Sequence, residues 1–289
     1  MASERCVCNK GTLTLRYEIE GKKIYECNFC ELTTVRPLPN YDSLKSYYEE
    51  NYASGRYSNR TYEYAVRLRK KTFKEWFRKI DGLLSRNGTL LDIGCGDGTA
   101  MDVADEYGFV VYGNDISENA SKNAKKKWGE RIYSGIPAEN IKMENNFFDC
   151  IVMFDFIEHT THPEQYFNLS YNLLKDNGKL VISTHDGKSI FKKLMGKSWS
   201  YLNPDEHLNI FTKTTLKIFL ENAGFKINFV ENVPKYVNLE FLYNELKWTS
   251  NFLYKIFSLT KKVIPSKLWD AGFYFYFGEL LCVAEKVRK

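Results

Sequence analysis

Leu90-Leu91-Asp92-Ile93-Gly94-Cys95-Gly96-Asp97-Gly98 decides how the chain folds. An apolar run ends on a carboxylate, and three glycines at alternate positions follow; glycine lacks the side chain that would keep a ligand away from the main chain. Alone, such a loop is a weak signal. Here it follows a strand pattern, precedes a helical one, and has Asp115 at the end of the next apolar run, 23 residues after Asp92, where a carboxylate can accept both hydroxyls of a ribose.

Outward from this loop the pattern repeats as strand, turn and helix. Strands are predicted over residues 89–93, 109–113, 131–134, 148–154, 179–184, 225–231 and 280–285, with helices from the glycine loop to about residue 107 and over 117–128, 163–174 and 214–222. That alternation is the signature of an α/β domain whose parallel sheet is covered on both faces. Residues 41–86 carry Tyr47, Tyr48, Tyr52, Tyr64, Leu68, Phe73, Trp76, Phe77 and Ile80 at helical intervals, and so predict a helical segment packed on the sheet. Between the last two strands, residues 235–277 form a helical insertion with Phe241, Leu242, Tyr243, Leu246, Trp248, Phe252, Leu253, Ile256 and Phe257 at helical spacing. Core-packed helices, a lid, a homodimer face and a membrane-surface patch all fit that pattern.

The chemistry of the loop narrows its ligand. A dinucleotide site needs G-x-G-x-x-G with a helix N-terminus facing pyrophosphate, whereas the spacing here is G-C-G-D-G and Asp97 would repel a phosphate. Asp92 and Asp97 instead suit a ligand carrying a sulfonium and an amino group.

Residues 90–98 resemble the first motif of class I S-adenosylmethionine-dependent methyltransferases. Val111-Tyr112-Gly113-Asn114-Asp115-Ile116-Ser117 resembles that family's second motif, residues 147–159 its fourth strand and following loop, and residues 173–182 the turn into its fifth strand. The resemblance spans residues 89–231. It implies a Rossmann-like seven-stranded sheet, mostly parallel with an antiparallel last strand, and S-adenosylmethionine as cofactor. Carried over by motif, Asp92, Gly94, Cys95, Gly96 and Gly98 would pass beneath the methionine part, Asp115 and Ile116 would meet the ribose, and Phe154 and Asp155 would flank the cofactor. One departure follows the third strand, where the family often places an acidic residue against adenine and this chain reads Ser134-Gly135-Ile136-Pro137-Ala138-Glu139; Ala138 and Glu139 are the candidates there.

Cys6 and Cys8, then Cys27 and Cys30, give C-x-C and C-x-x-C separated by 18 residues, a length that suits a β-hairpin turning near Gly21. Four thiolates so arranged make a closed tetrahedral zinc site, a structural role for a segment too small to hold its own core. A boundary at Pro37-Leu38-Pro39 divides a ribbon, residues 1–38, from a methyltransferase domain, residues 39–289. The N-terminus has no apolar stretch behind a basic start and no run of apolar residues is long enough to span a bilayer, so a cytoplasmic location is expected and the seven cysteines are not expected to form a disulfide framework. The order of ribbon, Arg36-Pro37-Leu38-Pro39 and Tyr47-Tyr48-Glu49-Glu50-Asn51-Tyr52 resembles methyltransferases of sugar, surface-polysaccharide and secondary-metabolite pathways. That implies a small polar acceptor such as a sugar nucleotide, with Tyr48 or Tyr52 closing over the cofactor; an aromatic helix face packed on the sheet explains the same tyrosines.

Methyl transfer asks the protein to align acceptor and sulfonium, exclude water and, for a hydroxyl nucleophile, remove a proton. The base candidates are His207 first, then His159 and His185, which fall where loops meet at the carboxyl ends of the fourth and fifth strands or beyond; His162, beside Pro163, reads as the start of a helix. Two other functions agree with parts of the sequence. Ribbon-guided methylation of RNA agrees with the cysteines and the net charge of +5, but no basic run interleaved with aromatics lies in the ribbon, and Asp155-Phe156-Ile157-Glu158 stands where base-directed enzymes carry a Pro-Pro-aromatic signature. A non-catalytic binding protein retaining the cofactor fold is opposed by the intact glycine loop and Asp115.

Overall fold

Alternation of side chains along the strands sets the architecture. In a computed structural model, describing residues 5–54, 62–85, 87–249, 251–261 and 264–288, the apolar runs become strands β4 (Thr89–Ile93), β5 (Val110–Asp115), β6 (Ile132–Ser134), β7 (Phe148–Phe154), β8 (Leu174–His185), β10 (Phe225–Asn238) and β11 (Gly272–Lys286). Their order across the sheet is β10-β11-β8-β7-β4-β5-β6. β8, β7, β4, β5 and β6 run parallel, and β11 is antiparallel to both neighbours. This is the seven-stranded, mostly parallel sheet that the sequence predicts.

Both faces are apolar, as a covered parallel sheet requires. Leu91, Ile93, Ile151, Met153 and Ile182 point to one core, and their neighbours Leu90, Val152 and Val181 to the other. The first face is covered by α5 (Pro163–Leu173) and α7 (Lys213–Ala223) through Phe167, Leu216 and Phe219; the second by α2 (Tyr62–Ile80) and α3 (Thr99–Glu106) through Phe73, Trp76, Phe77, Ile80 and Met101. Full burial of a side chain such as Phe77 or Ile80 contributes roughly 1.5–3 kcal/mol. Helix α4 (Glu118–Trp128) begins at Ser117, whose side chain accepts from the Ala120 N–H, and α7 begins in a capping box of Thr212 and Thr215 and ends on left-handed Gly224.

The N-terminal strands β1 (Leu13–Ile19), β2 (Lys22–Cys27) and β3 (Thr33–Arg36) form an antiparallel sheet whose fourth member is β9 (Asn209–Ile210), so the cysteine segment borrows an edge strand from the far half of the chain. Thr215 Oγ1 donates to the Cys30 carbonyl at 2.7 Å, and Thr212 Oγ1 to Glu31 at 3.0 Å. Helix α1 (Tyr41–Ala53) then crosses toward α4, and α2 follows.

The insertion differs from its prediction at both ends. Residues 235–238 and 272–277 are strand, because β10 and β11 keep pairing beyond the edge of the sheet, with Lys235 opposite Phe275 and Val237 opposite Phe273; between these arms lie α8 (Leu239–Thr249), α9 (Asn251–Thr260) and α10 (Ser266–Asp270). Continuous pairing of two aromatic-rich strands satisfies backbone groups that a helical start would have left open. The side chains of Trp248, Phe252 and Leu253 lie outside the described residues. A short helix, α6 (Ile190–Met195), follows β8.

Candidate active site

Two cavities meet at the carboxyl ends of β4, β5 and β7, sharing Tyr52, Gly94 and Asp155. The first, about 230 Å³, is lined by Asp92, Cys95, Gly96, Asp97, Phe154, Arg69 and Phe73. The second, about 220 Å³, is lined by Asp115, Ile116, Pro137, Ala138, Glu139, Tyr48, Tyr166 and His159. The predicted cofactor residues therefore gather in one trough, with Gly98 the exception, since it lines neither cavity.

The glycines have different tasks. Gly94 lies at φ +80° with its missing side chain aimed at the Phe156 ring, where a Cβ would sit 2.3 Å from a ring carbon. Gly98, at φ +84°, is packed against Trp128 and turns the chain into α3. Gly96 is open: at φ +49°, the nearest atom to an added Cβ is the Tyr52 hydroxyl at 4.0 Å. Gly96 therefore leaves the main chain accessible from the cavity.

The trough is acidic. Burial, reinforced by Asp115 and Asp97, pushes the Asp92 carboxyl up to about 8. Burial also raises Asp115, to about 6, even though its two oxygens accept the Gly96 N–H at 2.9 Å and the Ser117 N–H at 2.8 Å. Asp97 is paired with Arg69 on α2 at 2.7 Å. Asp92 and Asp115, their proton affinities raised by burial and by neighbouring carboxylates, form with Asp97 a site for a cation; S-adenosylmethionine, with sulfonium and ammonium groups, fits both the charge and the open face of Gly96.

Behind the trough stands a buried polar cluster. Asp155 ends β7 at φ +49°, an uncommon conformation for a residue with a side chain, and is tied there by Ser183 Oγ and Lys235 Nζ, each at 2.9 Å. Lys235 also meets Glu279 at 2.8 Å, Glu279 meets His185 Nδ1 at 3.2 Å, and His185 Nε2 lies 3.5 Å from Glu158. Burial opposes the charge on Asp155, but the Lys235 ammonium outweighs it and holds the carboxyl well below its usual range. Burial pushes Glu279 up to about 8 and Glu158 well above the carboxylate range. Both Glu158 oxygens are enclosed and make no hydrogen bond among the described residues, a setting that disfavours the charged form.

The histidines separate by access. His185 is buried and stacked on Tyr201 with ring centroids 3.5 Å apart. His207 lies between His159 and His185, with its Nδ1 2.8 Å from the Tyr201 carbonyl. Of the three, His159 lines the second cavity, and its Nδ1 is 2.7 Å from the Glu206 carbonyl. A carbonyl only accepts, so Nδ1 carries the proton and Nε2 keeps a lone pair. Burial lowers the proton affinity of all three rings. The sequence order that put His207 first is thus reversed by position, with His159 nearest the trough; His162 precedes α5 and sits half-exposed beside Glu164.

The four N-terminal cysteines converge: their sulfurs lie within 4.8 Å of one another, with Cys6 to Cys30 at 3.6 Å and Cys8 to Cys27 at 3.7 Å. Sulfurs bound tetrahedrally at about 2.3 Å are about 3.8 Å apart, so the quartet matches a zinc cage.

A family model described as a methyltransferase domain matches residues 68–228, more than half of the chain. The chain belongs to that methyltransferase family. Among curated relatives, phosphoethanolamine N-methyltransferase 2 of Caenorhabditis elegans is 38% identical over 103 residues, covering 34% of this chain and 24% of that protein. The ubiquinone biosynthesis O-methyltransferase of Ruegeria pomeroyi is 27% identical over 158 residues, covering 48% of this chain and 63% of its own length. The methyltransferase chain thus spans less than two thirds of either relative. Its fold is also that of the Burkholderia thailandensis 1,6-didemethyltoxoflavin-N1-methyltransferase, solved with that substrate and S-adenosylhomocysteine bound (TM-score 0.55, 18% identity, 95% of this chain and 99% of that one). An S-adenosylmethionine-dependent methyltransferase of Archaeoglobus fulgidus is similar as well (TM-score 0.52, 22% identity, 75% of this chain and 94% of that one).

Sequence reasoning missed Arg69, Phe73, Tyr166 and Lys235. Arg69 and Phe73 sit on a helix with no local motif, and Lys235 reaches Asp155 across 80 positions. Nothing in the neighbouring residues announces such contacts.

Proposed function

We propose that this chain is an S-adenosylmethionine-dependent methyltransferase acting on a small polar acceptor. The observation that carries the reading is the acidic trough with an open glycine floor, Gly96 beneath and Asp115 beside it. When bound, S-adenosylmethionine supplies an electrophilic methyl group. Asp115 and Ile116 would hold its ribose side, Ala138 and Glu139 would meet the base, and Asp97 with Arg69 would hold the amino-acid end.

The acceptor would lie at the polar rim formed by His159, Thr160, Thr161 and Glu206. His159 Nε2 would take a proton from an acceptor hydroxyl or amino group, with its Nδ1–H held by the Glu206 carbonyl. Tyr48, whose ring meets the His159 ring edge-on at 6.0 Å, and Tyr52 exclude water from the trough. Asp155 is a positioning residue at the junction of the two cavities. Relatives named for O- and N-methylation support an oxygen or nitrogen nucleophile, and the order of ribbon and tyrosine helix supports a sugar nucleotide or polysaccharide precursor as the first class to screen.

Calorimetry of the full chain with S-adenosylmethionine and S-adenosylhomocysteine tests the cofactor; absence of binding by both would remove the proposal. A methyl-transfer screen over nucleotide sugars then tests the acceptor class. The cysteine quartet is proposed to hold structural zinc, and metal analysis of purified protein should then find about one zinc per chain. Full thermal stability after exhaustive chelation would reject that role.

A further inference from the structure

Helix α6 and the β11 arm share an exposed apolar face. Ile190 and Leu194, one helical turn apart, are 65% and 78% exposed, and Met195 adjoins them. Phe191, on the same helix, packs on Phe275 and Phe277 with ring centroids 6.0 and 6.2 Å away, and Phe275 continues to Phe273, both more than a third exposed. Two segments distant in sequence therefore present one surface of aliphatic and aromatic side chains. Since Glu279 pairs with His185 at the end of β8, residues 272–278 extend past the carboxyl ends of the parallel strands, the edge on which the trough opens.

The two segments that form this face carry charges of one sign, although Glu26 and Asp186 act on Lys192. Residues 187–201 contain Lys188, Lys192, Lys193 and Lys197 and no acidic residue, and residues 271–278 contain no charge at all. Lys188 is engaged with Glu31 and Lys192 reaches Thr33 Oγ1, whereas Lys193 and Lys197 enter no ion pair among the described residues. A second copy docked here about a two-fold axis would set these lysines against one another. Among the described residues, no helix is long and apolar enough to cross a membrane.

We propose that this face binds the surface of an anionic lipid bilayer, with Ile190, Leu194, Phe273 and Phe275 entering the acyl boundary and Lys193 and Lys197 meeting headgroup phosphates. The trough then opens beside the membrane, where an acceptor carried at the bilayer surface can reach it. This assignment is independent of methyl transfer, because its test needs neither cofactor nor acceptor.

The test is co-sedimentation of the full chain with vesicles of phosphatidylcholine alone and of phosphatidylcholine and phosphatidylglycerol in equal parts. Binding is expected to the anionic vesicles, weakened by added salt. The double variant Ile190→Glu/Leu194→Glu should lose at least roughly tenfold in vesicle affinity, because two side chains no longer enter the apolar layer. Both positions are exposed, and an unchanged thermal midpoint would show that the variant folds. Lys193→Glu/Lys197→Glu should lose the preference for anionic lipid. Equal partitioning to both vesicle types, or unchanged binding by the Ile190→Glu/Leu194→Glu variant, overturns the proposal. A dimer in sedimentation equilibrium that this variant dissociates, without vesicle binding by the parent chain, would assign the face to self-association instead.

Discussion

The acidic trough and the polar cluster behind it are built from the same residue types and held by opposite means. In the trough, Asp92 and Asp115 are buried beside Asp97, and burial, reinforced by neighbouring carboxylates, makes them hold protons more tightly than free carboxyls do. In the cluster, Asp155 and Glu279 converge on Lys235, and the ammonium keeps Asp155 ionised. Among the described residues, Arg69 pairs with Asp97 in the first region but no cation pairs with Asp92 or Asp115; the second has Lys235 between its carboxylates. A ligand site keeps an imbalance that binding relieves, whereas a structural network is closed in the absence of any ligand.

Replacing the internal cation should separate the two most clearly. Lys235→Met strands Asp155 and Glu279 without their counter-charge and should cost about 3–5 kcal/mol in urea unfolding, with most of the loss recovered in Lys235→Met/Asp155→Asn. Asp115→Ala should act the other way round. It removes a carboxylate that burial disfavours but also frees the Gly96 and Ser117 N–H groups, so the stability loss should stay below that of Lys235→Met, while affinity for S-adenosylmethionine in calorimetry falls by about 1–3 kcal/mol. Equal stability losses in the two variants would erase the distinction.

The pH dependence sharpens it further. Asp115 has its folded pKa raised from 3.8 to about 6, so without ligand the folded chain binds this proton more tightly than the unfolded chain; the contribution of this group to stability is present at low pH and declines as pH rises through about 4 to 6. Ligand binding has the opposite sign, because the ionised carboxylate can accept both ribose hydroxyls. Affinity for S-adenosylmethionine should therefore weaken as pH falls below about 6, by at most about tenfold per unit for this one proton. Affinity that is flat across this range would show that Asp115 does not hold the ligand's ribose. The smallest effect belongs to Glu158→Gln: burial already holds Glu158 neutral and its oxygens lack partners, so stability should change by less than about 1 kcal/mol.

The trough was mostly legible in the sequence, and the cluster was not. Asp92, Gly94, Gly96 and Asp115 act through one loop and the strand beside it, where β4 and β5 pair in parallel from Thr89 to Ile93, so a strand-loop-helix pattern suffices to bring them together. Gly98 shows the limit of motif reading. Its spacing groups it with the ligand-facing glycines, but it is packed on Trp128 and turns the chain. The histidines mark a second limit: sequence position placed all three near the carboxyl ends of β7 and β8, but not which ring would reach the cavity and which would be enclosed.

Apolar period and glycine position determined the parallel sheet, its cofactor loop and the convergence of four cysteines, because each depends on residues close in the chain or on a pattern repeated along it. Tertiary structure alone decided that residues 209–210 complete the cysteine-bearing sheet, that Arg69 faces Asp97, and that Lys235 neutralises Asp155. Such contacts depend on strand order and register, and one residue of slip would turn Lys235 or Glu279 to the opposite face of the sheet.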